Sequence, residues 1–237
     1  MAIGIFVTGT DTGVGKTVVT GGLAGALRKN GVKAAAFKPV QTGGIESEEG
    51  LISEDALFYQ AVTGLPYSSR ELNPCCFKPP LSPNVAARIS GQVIDPVAIE
   101  AAYIRLAAEN DFVLVEGAGG LCVPLVDYHF TMADLARLLN TPLLVVARPG
   151  LGTINHTVLT VKYAQQAGLV VKGIIINGYR KDQATLAERT NPEVIEGMTG
   201  VPILGIVPYL PEVSVESGRA GGLIEVIEEN VNWRVLV

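Results

Sequence analysis

The chain has 237 residues, of which 48% are hydrophobic and only 17% charged. That length can bury a sizeable core without division, so one domain spanning 1–237 is expected, and the low charge favours a sheet covered on both faces. A formal net charge of −5 with no basic run leaves no electrostatic footprint for nucleic acid or an anionic membrane.

No uncharged stretch reaches the roughly 20 residues a membrane helix needs, and no basic and apolar leader precedes the first strand. A cytoplasmic protein is expected. The three cysteines are an odd count and Cys75 and Cys76 are adjacent, which suits neither a disulfide framework nor the usual metal spacing. Reduced, structural thiols are the expectation. His129 and His156 lack the spacing of a zinc site or of a nucleophile's base.

From the N-terminus, the apolar run Ile3–Thr8 reads as a buried strand and Lys16–Lys29 as a helix, joined through Gly9–Thr17, GTDTGVGKT. A glycine-rich turn there aims backbone N–H groups and the positive end of the helix at one small volume, which suits a phosphate. Five residues rather than four separate Gly9 from Gly15, so this is a Walker A loop with one extra residue. Lys16 is expected to reach the outer phosphates. The Thr17 hydroxyl is expected to take a place on the Mg2+ that a nucleoside triphosphate carries.

The second strand, Lys33–Phe37, is followed by Lys38, Pro39, Val40, Gln41, Thr42, Gly43 and Gly44. Ligands of an open parallel sheet collect beyond the carboxyl ends of its strands, so Lys38 stands on the edge of the phosphate loop. A second cation there could stabilise charge on a transferring phosphoryl group. The helix expected over Glu54–Val62 carries Asp55 in its first turn, where the dipole favours an acid whatever its function. Spacing alone makes Asp55 a capping residue. A further helix, Pro96–Glu109, opens with Asp95 as N-cap and proline at the first helical position.

The strand Phe112–Val115 is followed by Glu116, Gly117, Ala118, Gly119 and Gly120. A carboxylate at the end of a buried apolar strand is costly unless a cation meets it, and Mg2+ held by Thr17 is the economical candidate. Met132–Leu139 is the next helix, with Thr131 and Asp134 placed as a capping box. After the strand Leu143–Ala147 comes Arg148–His156, RPGLGTINH, leading into a helix over Ile154–Ala167. Its glycines with Thr153 and Asn155 offer a second anion site at a helix N-terminus, suited to a carboxylate. N-capping by Thr153 reads the local sequence equally well.

Strands Gly173–Ile176 and Ile203–Val207 complete a set of six, all read as parallel, and strands and helices alternate as βαβ units do. Ala184–Met198 is helical in pattern, with Pro192 expected to break it. The chain therefore reads as an α/β fold of the P-loop NTPase type, a parallel sheet flanked by helices on both faces.

Five segments, GTDTGVGKT, FKPVQTGG, SEDAL, VLVEGAGG and GLGTINH, resemble in order and spacing the dethiobiotin synthetases of the biotin pathway, over nearly the whole chain. The resemblance implies a homodimeric enzyme with shared active sites that uses ATP, Mg2+ and carbon dioxide (or bicarbonate) to close the ureido ring on 7,8-diaminononanoate. In that chemistry one amine captures carbon dioxide as a carbamate, ATP phosphorylates it, and the other amine expels phosphate. Catalysis then rests on positioning and charge stabilisation, without a covalent enzyme intermediate.

The resemblance also implies residue roles. Lys38 matches the active-site lysine and Lys16 the phosphate lysine, while Thr17, Asp55 and Glu116 match the Mg2+ ligands. Thr12 and Thr42 match hydroxyls that hold the carbamate and the diamine. Nucleotide contacts fall on Gly13, Val14, Gly15, Lys16, Thr17, Val18 and on Glu116, Gly117, Ala118, Gly119. Asn177, Pro208, Tyr209 and Leu210 look like the adenine contacts. Gly150, Leu151, Gly152, Thr153 and Asn155 are read as binding the substrate carboxylate across a dimer interface, and Pro80 and Ser82, in the loop Asn73–Asn84, as walling the diamine's chain. Beyond Leu210 the match fades: Glu212 and Glu216 both stand open as an acidic contact to the nucleoside. Gly13 stands where some members carry Glu.

Two rivals share parts of this pattern. A dimerising switch ATPase that positions division sites or partitions chromosomes has the same strand, loop and helix. It carries a lysine early in the loop, where this chain has Asp11, and its membrane-recruited members end in a basic amphipathic helix, unlike ENVNWRVLV. An amide-forming ligase acting on a larger acid is usually joined to a glutaminase domain, for which this chain is too short.

Overall fold

The computed structural model describes residues 3–48 and 50–237. The strands are β1 (Ile3–Gly9), β2 (Ala34–Phe37), β3 (Val40–Thr42), β4 (Ile45–Ser47), β5 (Gly50–Ile52), β6 (Cys75–Phe77), β7 (Phe112–Glu116), β8 (Leu143–Ala147), β9 (Val171–Tyr179) and β10 (Ile203–Pro208). The helices are α1 (Lys16–Lys29), α2 (Glu54–Thr63), α3 (Ser69–Leu72), α4 (Pro83–Ile89), α5 (Pro96–Glu109), α6 (Met132–Leu138), α7 (Thr153–Gln166), α8 (Leu186–Thr199) and α9 (Leu223–Asn230). None of them is long and apolar enough to cross a membrane.

Six strands form one sheet in the order β10-β9-β8-β1-β7-β2, and every neighbouring pair is parallel. These are the six strands expected, β8 with the expected bounds and the others with shifted ends, the largest shift being in β9. Successive side chains of a strand point to opposite faces, and the packing follows that alternation. Leu144 and Val146 of β8 join the large core that includes Leu23 and Leu27 of α1, whereas Val145 and Ala147 join Val161 of α7 and Ile195 of α8. Both faces are thus covered. The register sets up the ligand edge: Phe37 pairs with Val115 and Val7 with Glu116, so Lys38 and Glu116 emerge side by side next to the end of β1.

Short elements escaped the sequence pattern. β3 pairs in parallel with β6, which lies inside the Asn73–Asn84 segment expected to be loop, and β4 pairs antiparallel with β5. Each has three residues, too few to show a period. The predicted start signals at α5 and α6 are present: Asp95 Oδ1 accepts from the Val97 N–H at 2.9 Å, and Asp134 Oδ2 accepts from the Thr131 N–H at 2.8 Å.

Pro192 does not break its helix. α8 runs through it, opened by the Thr185–Glu188 capping box and closed by Gly200. Asn191, Ile195 and Thr199 form a buried stripe, and Asn191 Nδ2 donates to the Pro149 carbonyl at 2.8 Å. Tertiary packing of one face outweighs the single main-chain hydrogen bond that proline cannot donate.

The apolar C-terminus seals an edge of the sheet. Val231 bridges Gly205 in antiparallel fashion, the Asn232 N–H donates to the Leu204 carbonyl at 2.7 Å, and Val231, Trp233 and Leu236 are buried. A Cβ on Gly205 would lie 2.4 Å from the Asn230 carbonyl oxygen, so only glycine admits this contact. Gly205→Val is therefore expected to destabilise the fold by about 1–3 kcal/mol through overpacking. Urea unfolding should show a lower midpoint at an unchanged slope, and an unaltered midpoint would mean the tail does not seat on β10.

Candidate active site

The phosphate loop is shaped by its glycines and pinned from a neighbouring strand. Gly15, with φ 89°, is the N-cap of α1, and no side chain caps that helix, which leaves its first N–H groups for a ligand. An added Cβ there would lie 2.0 Å from Asn177 Nδ2, which donates to the Val14 carbonyl at 2.9 Å and so ties the loop to β9. Lys16 is buried, and its Nζ donates to the Asp11 carbonyl at 3.2 Å. Burial pushes its pKa down to about 8, with Lys38 nearby acting in the same direction and Glu116 opposing.

Beside the loop, two cations and two carboxylates converge. Lys38 Nζ lies 2.5 Å from Asp55 Oδ2 and 2.6 Å from Glu116 Oε1, and the Thr17 hydroxyl donates to the same Glu116 oxygen at 3.0 Å. Lys38 is only 5% exposed, so it is not a solvated surface charge. Burial opposes its ammonium, but the two carboxylates outweigh that and hold its pKa above the usual lysine value. The cation facing Glu116 here is thus Lys38. Asp55 does not cap α2: Ser53 does, its hydroxyl accepting from the Ala56 N–H at 3.1 Å, which frees Asp55 to pair with Lys38.

Three supporting groups were not anticipated. The hydroxyl of the fully buried Tyr59 donates to Glu116 Oε2. Asn73 Nδ2 donates to the Lys38 carbonyl at 2.7 Å and, with the Lys38 N–H bonded to the Leu72 carbonyl at 2.8 Å, fixes the backbone beneath the lysine. Ser53 is the cap already named. The signal for Tyr59 lay in SEDALFYQ, where it stands four residues after Asp55 and so on the same helix face.

Thr12, Gly13, Gly15, Lys16, Thr17 and Val18 share a cleft of about 390 Å³ with Lys38, Thr42, Asp55, Glu116, Ala118 and Gly119. Glu216 lines it as well, which separates it from Glu212. Val14 and Gly117 sit behind the cleft, Val14 buried and Gly117 against the Phe6 ring. Asn177, Pro208, Tyr209 and Leu210 line a recess of about 130 Å³ that shares Val18 with the cleft. The Arg180 guanidinium stacks 3.4 Å from the Tyr209 ring. Pro80 lies against Gly43, next to Thr42, while the Ser82 hydroxyl turns to Asn84 Oδ1 at 2.8 Å.

The loop Gly150–Asn155 does not line its own chain's cleft. Its helix, α7, is N-capped by Gly152 and has no side-chain cap, so the reading of Thr153 as N-cap is not met. Thr153 is the first helical residue; it is buried, with Oγ1 turned to Thr157 at 3.4 Å. Leu151 and Asn155 are exposed. Arg148 Nη2 stands 3.6 Å from Asp11 Oδ2, linking this segment to the phosphate loop. The thiols of Cys75 and Cys76 are pushed up to about 11 by burial, which disfavours their thiolate forms.

The lowered Lys16 pKa has a measurable consequence. Only the cationic form pairs with phosphate, and the free protein loses that charge as pH rises through about 8. Affinity for ADP is expected to be flat below that pH and to fall above it by up to about tenfold per pH unit, with proton uptake on binding. Calorimetry in buffers of different ionisation enthalpy checks both, and constant affinity well above pH 8 without proton uptake would show that burial does not lower the Lys16 pKa in the free protein.

A family model described as an AAA domain matches residues 3–217. The ATP-dependent dethiobiotin synthetase BioD of Anoxybacillus flavithermus is 45% identical over 213 residues, 89% of this chain and 94% of that protein. The protein of the same name from Bacillus subtilis is 38% identical over 234 residues, 99% of this chain and 97% of its own. Among solved structures, the septum site-determining protein MinD of Pyrococcus horikoshii, complexed with Mg-ADP, is similar with a TM-score of 0.59 at 19% identity, covering 97% of this chain and 96% of that one. At that identity the likeness is one of fold. With relatives this similar over nearly its whole length, the chain belongs to the family of ATP-dependent dethiobiotin synthetases, ligases that form C–N bonds.

Proposed function

We propose that the chain forms dethiobiotin from 7,8-diaminononanoate, carbon dioxide and ATP through a carbamate and a carbamic–phosphoric anhydride. The observation that carries this reading is Lys38, buried between Asp55 and Glu116 in the same cleft as Lys16 and the phosphate loop. An amine nitrogen bonds to the carbon of carbon dioxide and gives up a proton. A carbamate oxygen then takes the γ-phosphoryl group as ADP leaves, and the second amine attacks the carbonyl carbon, loses a proton and expels phosphate. Each step builds or moves negative charge, which two positioned ammonium groups stabilise without forming a covalent bond.

Thr12 and Thr42 open onto the cleft with hydroxyls able to orient the carbamate and the diamine. Thr17, Asp55 and Glu116 present hard oxygens within reach of one another through Lys38, a donor set that fits Mg2+ held jointly with phosphate oxygens. Mg2+ bound there would neutralise charge on the β- and γ-phosphates. Asn177, Pro208, Tyr209 and Leu210 would take the adenine in the adjoining recess.

The substrate carboxylate is assigned to Gly150, Leu151, Gly152 and Asn155 of a second subunit in a homodimer. The uncapped start of α7 and the loop's position outside its own cleft support this. Thr153 would contribute through its backbone, since its hydroxyl is buried. Pro80 would flank the diamine's chain near Thr42, with Ser82 acting only through the loop. We take the chain as one domain acting in the cytoplasm.

ATP turnover is expected to require both the diamine and bicarbonate, with dethiobiotin followed by mass and phosphate released in step. Rapid hydrolysis with ATP alone would favour a switch ATPase instead. Lys38→Ala should lower the rate about a hundredfold or more. Mixing Lys38→Ala with Gly152→Glu should restore activity, because one of the two sites in a mixed dimer has neither defect and the other has both. If mixed dimers form by mass and nothing returns, the site is not shared.

A further inference from the structure

The hydrogen bonds to Glu116 are divided between its two oxygens by origin. Oε1 accepts from Lys38 and Thr17, both of which line the cleft. Oε2 accepts from the hydroxyl of Tyr59, which is fully buried on α2 and has no part in the steps above. A carboxylate oxygen paired with a buried phenol is held where it is, since turning it away would leave that hydroxyl without a partner in the core.

We propose that Tyr59 is a positioning residue: by reserving Oε2 it leaves Glu116 a single oxygen for a divalent cation, and so favours Mg2+ over Ca2+ at this site. The proposal rests on the Mg2+ reading given above. Mg2+ is small and near octahedral, and it is served by single oxygens from one or two carboxylates together with phosphate and water. Ca2+ takes roughly six to eight oxygens and gains from a carboxylate free to offer both of its own. Asp55 is restrained in parallel, its Oδ2 engaged by Lys38 at 2.5 Å. Because Asp55 and Tyr59 lie one turn apart on α2, the same helix sets both carboxylates.

The test measures the affinity of a non-hydrolysable ATP analogue by calorimetry in saturating Mg2+ and in saturating Ca2+, for the wild type, Tyr59→Phe and Glu116→Gln. Tyr59→Phe is expected to narrow the preference for Mg2+ about tenfold, chiefly by tightening the Ca2+ complex, as the freed carboxylate turns to it. A merely structural role would weaken both complexes together and leave their ratio as it was. An unchanged ratio in Tyr59→Phe, alongside a weaker Mg2+ complex in Glu116→Gln, overturns the role of Tyr59 and keeps the metal site. No effect of Glu116→Gln with either cation overturns the metal reading itself. Should Tyr59→Phe not fold by circular dichroism, crystals of the wild type with the analogue and each cation decide. One Glu116 oxygen on the metal with Oε2 still on Tyr59 supports the proposal, and two oxygens on Ca2+ overturn it.

Discussion

The Lys38 ammonium is buried between two carboxylates, and much of the surrounding architecture follows from keeping all three paired. Removing one partner of a buried ion pair leaves an uncompensated charge and typically costs about 3–5 kcal/mol. The pairing therefore depends on elements distant in the chain arriving together. The β2–β7 register brings Lys38 beside Glu116, the Ser53 cap starts α2 where Asp55 reaches the lysine, and Asn73 fixes the Lys38 backbone. Tyr59 and Thr17 then satisfy Glu116 from two further directions.

This explains which parts of the site were legible in the sequence. Six strands, their parallel direction and the phosphate loop could be read because each rests on a local pattern: an apolar run, a glycine-rich turn, a helix start. Lys38 and Glu116 could be read because each directly follows a strand on the ligand edge. Asp55 could not be read from spacing, since an acid in a first turn is favoured by the dipole whatever it does, and only its contact with Lys38 shows a further partner. Tyr59 and Asn73 act through contacts of long sequence separation, 57 residues for Tyr59 to Glu116 and 35 for Asn73 to Lys38, which leave no periodic trace. Pro192 was misread for the same reason: the stripe that holds α8 is visible only once Pro149 is seen beside Asn191.

The likeness to MinD proteins bears on how far the fold alone carries an argument. These share the sheet, with TM-scores of 0.57 to 0.59 for two of them, at identities of 17% and 19%. A common scaffold with so little sequence in common fixes where ligands gather and not what is done to them. The chemistry is specified by side chains placed on that edge. Here Lys38 directly after β2 and Glu116 at the end of β7 are paired with each other and line one cleft with the phosphate loop.

The charge balance of this pocket points to how binding and chemistry are linked. Lys16, Lys38, Asp55 and Glu116 carry two positive and two negative formal charges, so these four side chains balance when Lys16 is protonated. The two lysines are nevertheless not equivalent. Lys38 is held charged by its carboxylates, whereas Lys16 is buried with a pKa of about 8 and makes no salt bridge among the described residues. On the proposed reading a phosphate at the loop would be an ionic partner for Lys16. Under the proposed reaction the favourable pairing at Lys16 would be realised only with the nucleotide in place, while Lys38 would be positioned in advance for charge developing on the transferring group. In that reaction one cation would serve capture and the other the chemistry, a difference set by the carboxylates that lie against Lys38 and not against Lys16.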